Sequence, residues 1–330
     1  MTRPRIFITQ PVAQSAIERL KNIAEVEFNP DSVHIPGKDE MLAAVRTHDI
    51  LFCLLHDRVD GDVIAANPGL RMIASMKITP SDIDVAAATA RRIPITVIPP
   101  IVTEATADIH FALLLAVARR LVEGDRLVRA GVFPGAQSSH LEGAGVAGKV
   151  IGLVGGGGRI GRAVARRAQG FSMRTIYWTP RRKPESEERE AGIEYVTMDQ
   201  LLAESDFVSI HAPLNPQTRH LIGERELRLM KPTAFIINTA RGPIIDEAAL
   251  VRVLAERRIA GAGLDVFEHE PKVDPALVAM PNVVLTPHLG SAVRELREGM
   301  AHVVVDNIVA VLEGKQPPNC WNTEIYAAPR

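Results

Sequence analysis

Three short stretches in the second half of the chain hold residues able to do acid–base chemistry on a small anion. They are INTARG, which brings Arg241, GLDVFEHEP around Glu270, and LTPHLGS around His288. Each lies where an apolar, strand-like run gives way to a loop, so the three side chains can converge at strand ends. Arginine supplies a permanent cation whose paired donors match a carboxylate. Histidine supplies a titratable proton, and a nearby carboxylate favours its charged form. Together these suit the reduction of a 2-oxo acid by hydride, with the proton delivered to the developing oxyanion. Each residue alone has an ordinary reading: a surface ion pair, a solvated loop acid, a histidine at a helix cap.

A seat for the hydride carrier is written in VGGGGRIG, residues 154–161, between the strand-like VIGLV and a helical stretch. Read as G-x-G-x-x-G, Gly156 makes the tight turn, Gly158 lets the backbone approach a pyrophosphate, and Gly161 lets helix pack on strand. Arg159 and Ile160 open the helix, whose free N–H groups attract phosphate. The next strand runs into Thr179, Arg181 and Arg182, where an NAD site usually carries an acid for the ribose 2′-hydroxyl. The acid is absent, and guanidinium forks suit a 2′-phosphate. NADP(H) is therefore the favoured cofactor and NAD(H) the alternative; the competing reading is a solvated basic loop.

The elements that must position these groups alternate along the chain. Strands are expected at 5–9, 26–28, 50–55, 71–75 and 94–98, with helices at 13–23, 39–46, 63–66 and 85–90 between them. One long Ala- and Leu-rich helix is expected over 104–130. After a Gly-rich loop, strands are expected at 150–154, 175–178, 207–211, 234–238, 262–265 and 283–285. Helices at 160–169, 198–203, 224–229 and 247–256 separate them, the acidic stretch ESEERE reads as helical, and a final helix covers 293–312. Strands separated by helices imply parallel βαβ units in an α/β protein.

With 330 residues the chain is long enough for about two domains. A formal net charge of −1 and 4% aromatic residues give no electrostatic or stacking footprint for nucleic acid. Two cysteines, Cys53 and Cys320, cannot build a disulfide framework or a cysteine metal site. No His/Asp/Glu grouping reads as a metal site either. No signal-peptide pattern opens the sequence, and the apolar stretch 109–118 is far shorter than the ~18 residues of a membrane span. A cytoplasmic protein without a membrane partner is expected.

The ordered motifs TEATADIHFALLLAVARR (103–120), the glycine turn, ESDFVSIHAPLNPQTRHLI (204–222), LMKPTAFIINTARGPIIDEAAL (229–250), AGAGLDVFEHEP (260–271) and NVVLTPHLGSA (282–292) cover most of the chain. In them the chain resembles the D-isomer-specific 2-hydroxyacid dehydrogenases of the glyoxylate/hydroxypyruvate reductase kind. The resemblance implies two Rossmann-like doubly wound domains with the active site in the cleft between them. Residues 1–101 with 291–330 would form a flavodoxin-like substrate-binding domain, and 102–290 the dinucleotide-binding domain, through which the family dimerises. Arg241 would hold the substrate carboxylate and 2-oxo oxygen, His288 would protonate that oxygen, and Glu270 would tune His288.

The resemblance also implies cofactor contacts. Thr106 would lie near the phosphates, His211, Pro213 and Thr218 at the adenosine, and Thr239, Ala240, His288 and Gly290 about the nicotinamide. Asp265 would bond the nicotinamide amide, or act instead as a buried strand-end cap. Leu54, Lys77, Ile78 and Thr79 would face the substrate.

Three departures stand out. The turn has one glycine more than the family's usual G-x-G-R-I-G, assigned to Gly155, which lengthens the pyrophosphate loop. The family's S-V-G-x-D loop reads Lys77-Ile78-Thr79-Pro80-Ser81, so Lys77 either supplies a compensating ammonium or points to solvent. Residues 137–140 lack the tryptophans of some relatives. Phosphite dehydrogenases, which also place a lysine in this loop, are a rival reading. So are dinucleotide-sensing corepressors that keep the Arg-Glu-His set. Formate dehydrogenases replace the glutamate, so Glu270 argues against them.

Overall fold

Short runs of Ile, Leu, Phe and Val buried on both faces are what a parallel sheet between two helix layers requires. The computed structural model describes residues 3–327 and builds two such sheets, in two units. One unit comprises the described residues up to Ile101 and from Val293 on; the other is Val102–Ala292.

The first unit runs β1 (Arg5–Ile8), α1 (Gln14–Lys21), β2 (Glu25–Phe28), α2 (Lys38–Thr47), β3 (Ile50–Cys53), α3 (Gly61–Ala65), β4 (Met72–Ser75), α4 (Val85–Ala90) and β5 (Ile95–Thr96). Its strands are all parallel in the order β2-β1-β3-β4-β5. That is a flavodoxin-like order, with a topological switch point between β1 and β3. β3 and β4 are buried at every residue, as a central parallel strand must be. Asp60 and Asp84 cap α3 and α4 by accepting from Val63 N–H and Ala87 N–H. The chain's last long helix packs on α1 and β4 of this unit. Near the end of the described chain, buried Asn322 accepts from Ile95 N–H (2.9 Å) and donates to Ile93 O (3.0 Å), which ties the terminal segment to β5.

The second unit continues with α5 (Thr103–Ala118), α6 (Leu121–Arg129), β6 (Val150–Val154), α7 (Arg159–Gly170), β7 (Arg174–Trp178), α8 (Glu185–Ala191), β8 (Glu194–Tyr195), α9 (Met198–Glu204), β9 (Phe207–Ile210), α10 (Glu224–Leu229), β10 (Phe235–Asn238), α11 (Glu247–Ala255), β11 (Gly261–Leu264), α12 (Pro275–Ala279) and β12 (Val283–Leu285). The helix completing the first unit is α13 (Arg294–Leu312). The sheet is parallel in the order β12-β11-β10-β9-β6-β7-β8, with its switch point between β6 and β9. The crevice outside the carboxyl ends of strands at such a point is where this architecture binds ligands.

The structure departs from the sequence reading in two places. The long helix expected over 104–130 is broken: α5 stops at Ala118, and Arg120 takes a left-handed φ of 53° before α6. Helix propensity is strong throughout this stretch, so the break is tertiary. Ala144 N–H bonds the Ala118 carbonyl (2.8 Å) and takes the acceptor that the next helical turn would use. β8 and α12 were not expected. β8 has two residues, too few for any periodicity to show, and α12 is a single turn capped by Asp274.

His110 on α5 is completely buried over β9, where Ser209 Oγ lies 3.2 Å from its Nδ1 and 2.6 Å from His211 Nε2. Burial pushes His110 well below the ordinary histidine range and His211 down to about 3. A histidine held neutral in the folded state binds no proton where the unfolded chain does. Its contribution is therefore complete above about pH 6.5 and is lost as pH falls toward the folded value. His110 should cost on the order of 1 kcal/mol of stability per pH unit over that window. Urea unfolding at pH 7.5 and 5.5 should show a shallower pH slope for His110→Gln than for the parent protein. Equal slopes would show that His110 carries none of this dependence.

Candidate active site

At the end of β10, Asn238 turns its side chain along the backbone. It accepts from Ala240 N–H (3.0 Å) and donates to Arg241 O (3.1 Å), the local bonding by which asparagine shapes turns. Arg241 is held extended, half-buried, with Nη1 donating to the Ala240 carbonyl at 2.7 Å. The next residue must be glycine. A Cβ on Gly242 would lie 1.9 Å from the carbonyl carbon and oxygen of Phe267, so the loop after β10 runs directly against the loop after β11.

That second loop carries Glu270. Its Oε1 accepts from Phe267 N–H (2.9 Å) and its Oε2 lies 2.9 Å from His288 Nδ1. Both side chains are largely buried, His288 at 16% and Glu270 at 20% exposure, so the pair is shielded from solvent screening. With Nδ1 facing a carboxylate, the exchangeable proton of the imidazole is the one at Nε2.

His288 sits in a left-handed conformation (φ 54°), unfavourable for a residue with a side chain, and Asp265 holds it there. The Asp265 carbonyl accepts from His288 N–H (3.0 Å). Its buried carboxylate accepts from Thr286 Oγ1 (2.6 Å), Leu289 N–H (2.7 Å) and Gly290 N–H (2.9 Å). Burial raises the Asp265 carboxyl above its ordinary value. Asp265 thus caps the strand end through these bonds. Thr106 joins the cluster by donating to Gly290 O (3.2 Å).

At the other end of the sheet's switch point, Gly155 closes the turn after β6 with φ 85°. A Cβ there would lie 2.6 Å from Ala212 N. The tight turn belongs to Gly155, not to Gly156, and its positive φ and close backbone approach both require glycine there. Gly158 starts α7, and Gly161 packs onto the backbone of Gly156. A dinucleotide fits these residues: the N-terminus of the 12-residue α7 presents the N–H groups around Arg159 and Ile160. Thr239, 6% exposed and two residues before Arg241, has a buried hydroxyl without a protein partner among the described residues.

Other expected cofactor residues are engaged within the protein. Arg182 is not available as a free fork. It donates to both oxygens of Glu188 (2.9 and 2.8 Å), lies over the Tyr195 ring, and holds the Glu188 carboxyl down to about 2. Tyr177 buttresses that pair, donating to Glu188 (2.7 Å) and accepting from Lys183 N–H (2.9 Å). This places the Lys183 side chain across Gly157: a Cβ there would lie 2.9 Å from Lys183 Cε. Lys183 is thus the basic residue beside the glycine turn, missed because a run of three cations gives no sign of which one a neighbouring acid has claimed. Arg181 is exposed, and its carbonyl accepts from Thr179 Oγ1 (2.7 Å). Thr218 closes its own loop on Pro213 O (2.5 Å), and His211 bonds Ser209.

In the first unit, Lys77 fits neither expectation. It is 3% exposed, and its ammonium bonds Asp82 Oδ2 (3.1 Å) and Asp57 O (3.0 Å). Leu54 and Ile78 are half-buried and Thr79 is exposed.

The second unit matches the family described as D-isomer specific 2-hydroxyacid dehydrogenase, NAD binding domain, over residues 111–290. The whole chain is 46% identical to the glyoxylate reductase of Thermococcus litoralis, over 99% of both sequences. A crystal structure of a Thermus thermophilus protein superposes with a TM-score of 0.87 at 41% identity, over 96% of this chain and 99% of that one. An acyclic imino acid reductase solved with NADPH and D-Arg superposes with a TM-score of 0.79 at 30% identity, over 96% and 99%. The chain belongs to the D-isomer-specific 2-hydroxyacid dehydrogenases. It is an oxidoreductase with a nicotinamide-dinucleotide-binding domain. Among the described residues no helix is long and apolar enough to cross a membrane.

The contact between Gly242 and Phe267 can be tested against a glycine with open surroundings. Gly242→Ala should destabilise the protein by about 2 kcal/mol or more, as overpacking against backbone does, and abolish dehydrogenase activity. Gly170→Ala, with nothing within 4 Å, should be neutral or mildly stabilising. Thermal unfolding and initial rates of both variants check this; a stable, active Gly242→Ala would refute the constraint.

Proposed function

We propose that the protein reduces a small 2-oxo acid of the glyoxylate/hydroxypyruvate class to the D-2-hydroxy acid, using NADPH in preference to NADH. The observation that carries the reading is the Glu270–His288 pair, with the Glu270 loop locked against the Arg241 loop. When bound, the nicotinamide dinucleotide supplies the hydride. Arg241 binds the substrate carboxylate and polarises the 2-oxo oxygen through its paired N–H donors. His288, held by Glu270 at Nδ1, gives its Nε2 proton to that oxygen as negative charge develops. Glu270 keeps the imidazole oriented by holding Nδ1. Gly158, Arg159, Ile160 and Gly161 hold the pyrophosphate at the start of α7. Thr106, Thr239, Ala240 and Gly290 border the rest of the dinucleotide, with Asp265 acting through the 286–290 loop.

The preference for NADPH rests on Arg181 and Lys183, since Arg182 is committed to Glu188. The related imino acid reductase solved with NADPH supports this choice. A homodimer formed through the second unit fits the exposed Leu121, Val128, Val132 and Phe133 on and after α6. Sedimentation velocity should give twice the chain mass, and a monomer would remove this part of the reading.

Initial rates with glyoxylate and hydroxypyruvate test the activity directly. His288→Ala should lower turnover about 10²–10⁴-fold while NADPH still binds; unchanged turnover would remove His288 from the mechanism. Lys183→Met should raise KM for NADPH about tenfold and leave NADH little changed, the loss expected when one charge-assisted contact disappears. Arg182→Met should lower thermal stability without favouring either cofactor. A cofactor-selective effect confined to Arg182→Met would overturn the assignment to Lys183.

A further inference from the structure

A fully buried ammonium is costly unless it is paired and hydrogen-bonded, so the surroundings of Lys77 reveal what the fold uses it for. Its backbone lies just past β4, where its carbonyl accepts from Ile98 N–H (2.8 Å) beyond β5. Its side chain, 2% exposed, reaches Asp82 (3.1 Å) at the far end of its own loop and the Asp57 carbonyl (3.0 Å) in the loop after β3. The Asp57 carboxylate in turn accepts from Leu54 N–H and from Thr9 Oγ1, just past β1. Asp82 O also accepts from Val59 N–H (2.9 Å), which ties the loop's end to the same neighbour. The ammonium therefore joins the loops after β3 and β4, while Thr9 and Ile98 tie the segments after β1 and β5 to Asp57 and to the Lys77 carbonyl, beside the first sheet's switch point.

We propose that Lys77 is a positioning residue: it fixes the 78–81 loop so that the backbone N–H groups of Ile78 and Thr79 bind the carboxylate of a 2-oxo acid. Those two N–H groups donate to no protein acceptor among the described residues, and Thr79 is exposed. Thr79 is not in the left-handed region, so the loop does not depend on a glycine at that position. The lysine clamp sets the loop's shape in its place. The substrate class that follows is a small anion bound by N–H donors, not one that requires a free ammonium, and this argues against phosphite oxidation. The inference rests on the proposed activity and on reading 78–81 as the carboxylate loop.

The test compares Lys77→Met and Asp82→Asn in the full-length protein, with glyoxylate varied at saturating NADPH. If Lys77 positions the loop, both variants should raise KM for glyoxylate about tenfold. Turnover and KM for NADPH should stay within about threefold, the pattern of lost uniform binding. If Lys77 were itself the carboxylate ligand, only Lys77→Met would weaken binding, and Asp82→Asn would leave it unchanged or tighter; that outcome overturns the proposal. Should Lys77→Met fail to fold, Asp82→Asn alone decides, because Asp82 is 43% exposed and its loss is tolerable. Wild-type turnover is measured first. Its absence would overturn the functional reading and this inference together, whereas an active wild type with unchanged KM in both variants overturns the inference alone.

Discussion

The carboxylate of Asp265 sets the shape of the candidate site without needing to touch a reacting atom. At the end of β11 it is almost wholly buried, where an unpartnered charge would cost several kcal/mol. It is stable there because three donors from residues 286–290 turn inward to meet it. Those bonds over-determine the loop, so His288 persists in a left-handed conformation that it would not adopt alone. The left-handed backbone turns the imidazole so that Nδ1 meets Glu270. The strain belongs to the site, and the buried carboxylate is what sustains it.

The other half of the site is fixed by exclusion of volume. Gly242 and Phe267 approach so closely that no side chain can separate their loops. The cation at Arg241 and the acid at Glu270 therefore share one rigid body, although 28 residues of chain lie between them. The glycine turn after β6 follows the same rule, since Gly155 presses on the backbone after β9. In both places a parallel sheet brings strand ends together, and glycine lets backbone replace side chain at the contact. Preorganisation of this kind holds catalytic groups to within fractions of an ångström.

Most of the fold was legible because it rests on pattern. Apolar runs bounded by turn residues located eleven of the strands to within a residue or two, and periodicity found the long helices. The two-residue β8 and the one-turn α12 give no period to read. The break between α5 and α6 comes from Ala144, a partner some 25 positions away, which local propensity cannot register. In the candidate site, the convergence of the Arg241, Glu270 and His288 loops was readable because their ordered motifs follow strand-like runs. Asn238, Gly155 and the Gly242 contact were not, because their roles lie in backbone geometry.

The cations show the limit most clearly. Arg182, Lys183 and Lys77 look equally able, as letters, to bind an anionic ligand. What separates them is where the nearest acid stands. Glu188 lies one helical turn into α8 and captures Arg182 while Tyr177 holds the strand end beneath it. Asp82 stands five residues from Lys77, close enough for the loop to fold back on itself. The phenol that supports Glu188 also receives the backbone of Lys183, whose side chain then crosses the glycine turn. Charge is thus allotted by packing here: Arg182 and Lys77, each with an acid in reach, shape the scaffold, while Lys183 is directed across the glycine turn. A basic residue within reach of a buried or helix-borne carboxylate is better read first as architecture, and only then as recognition.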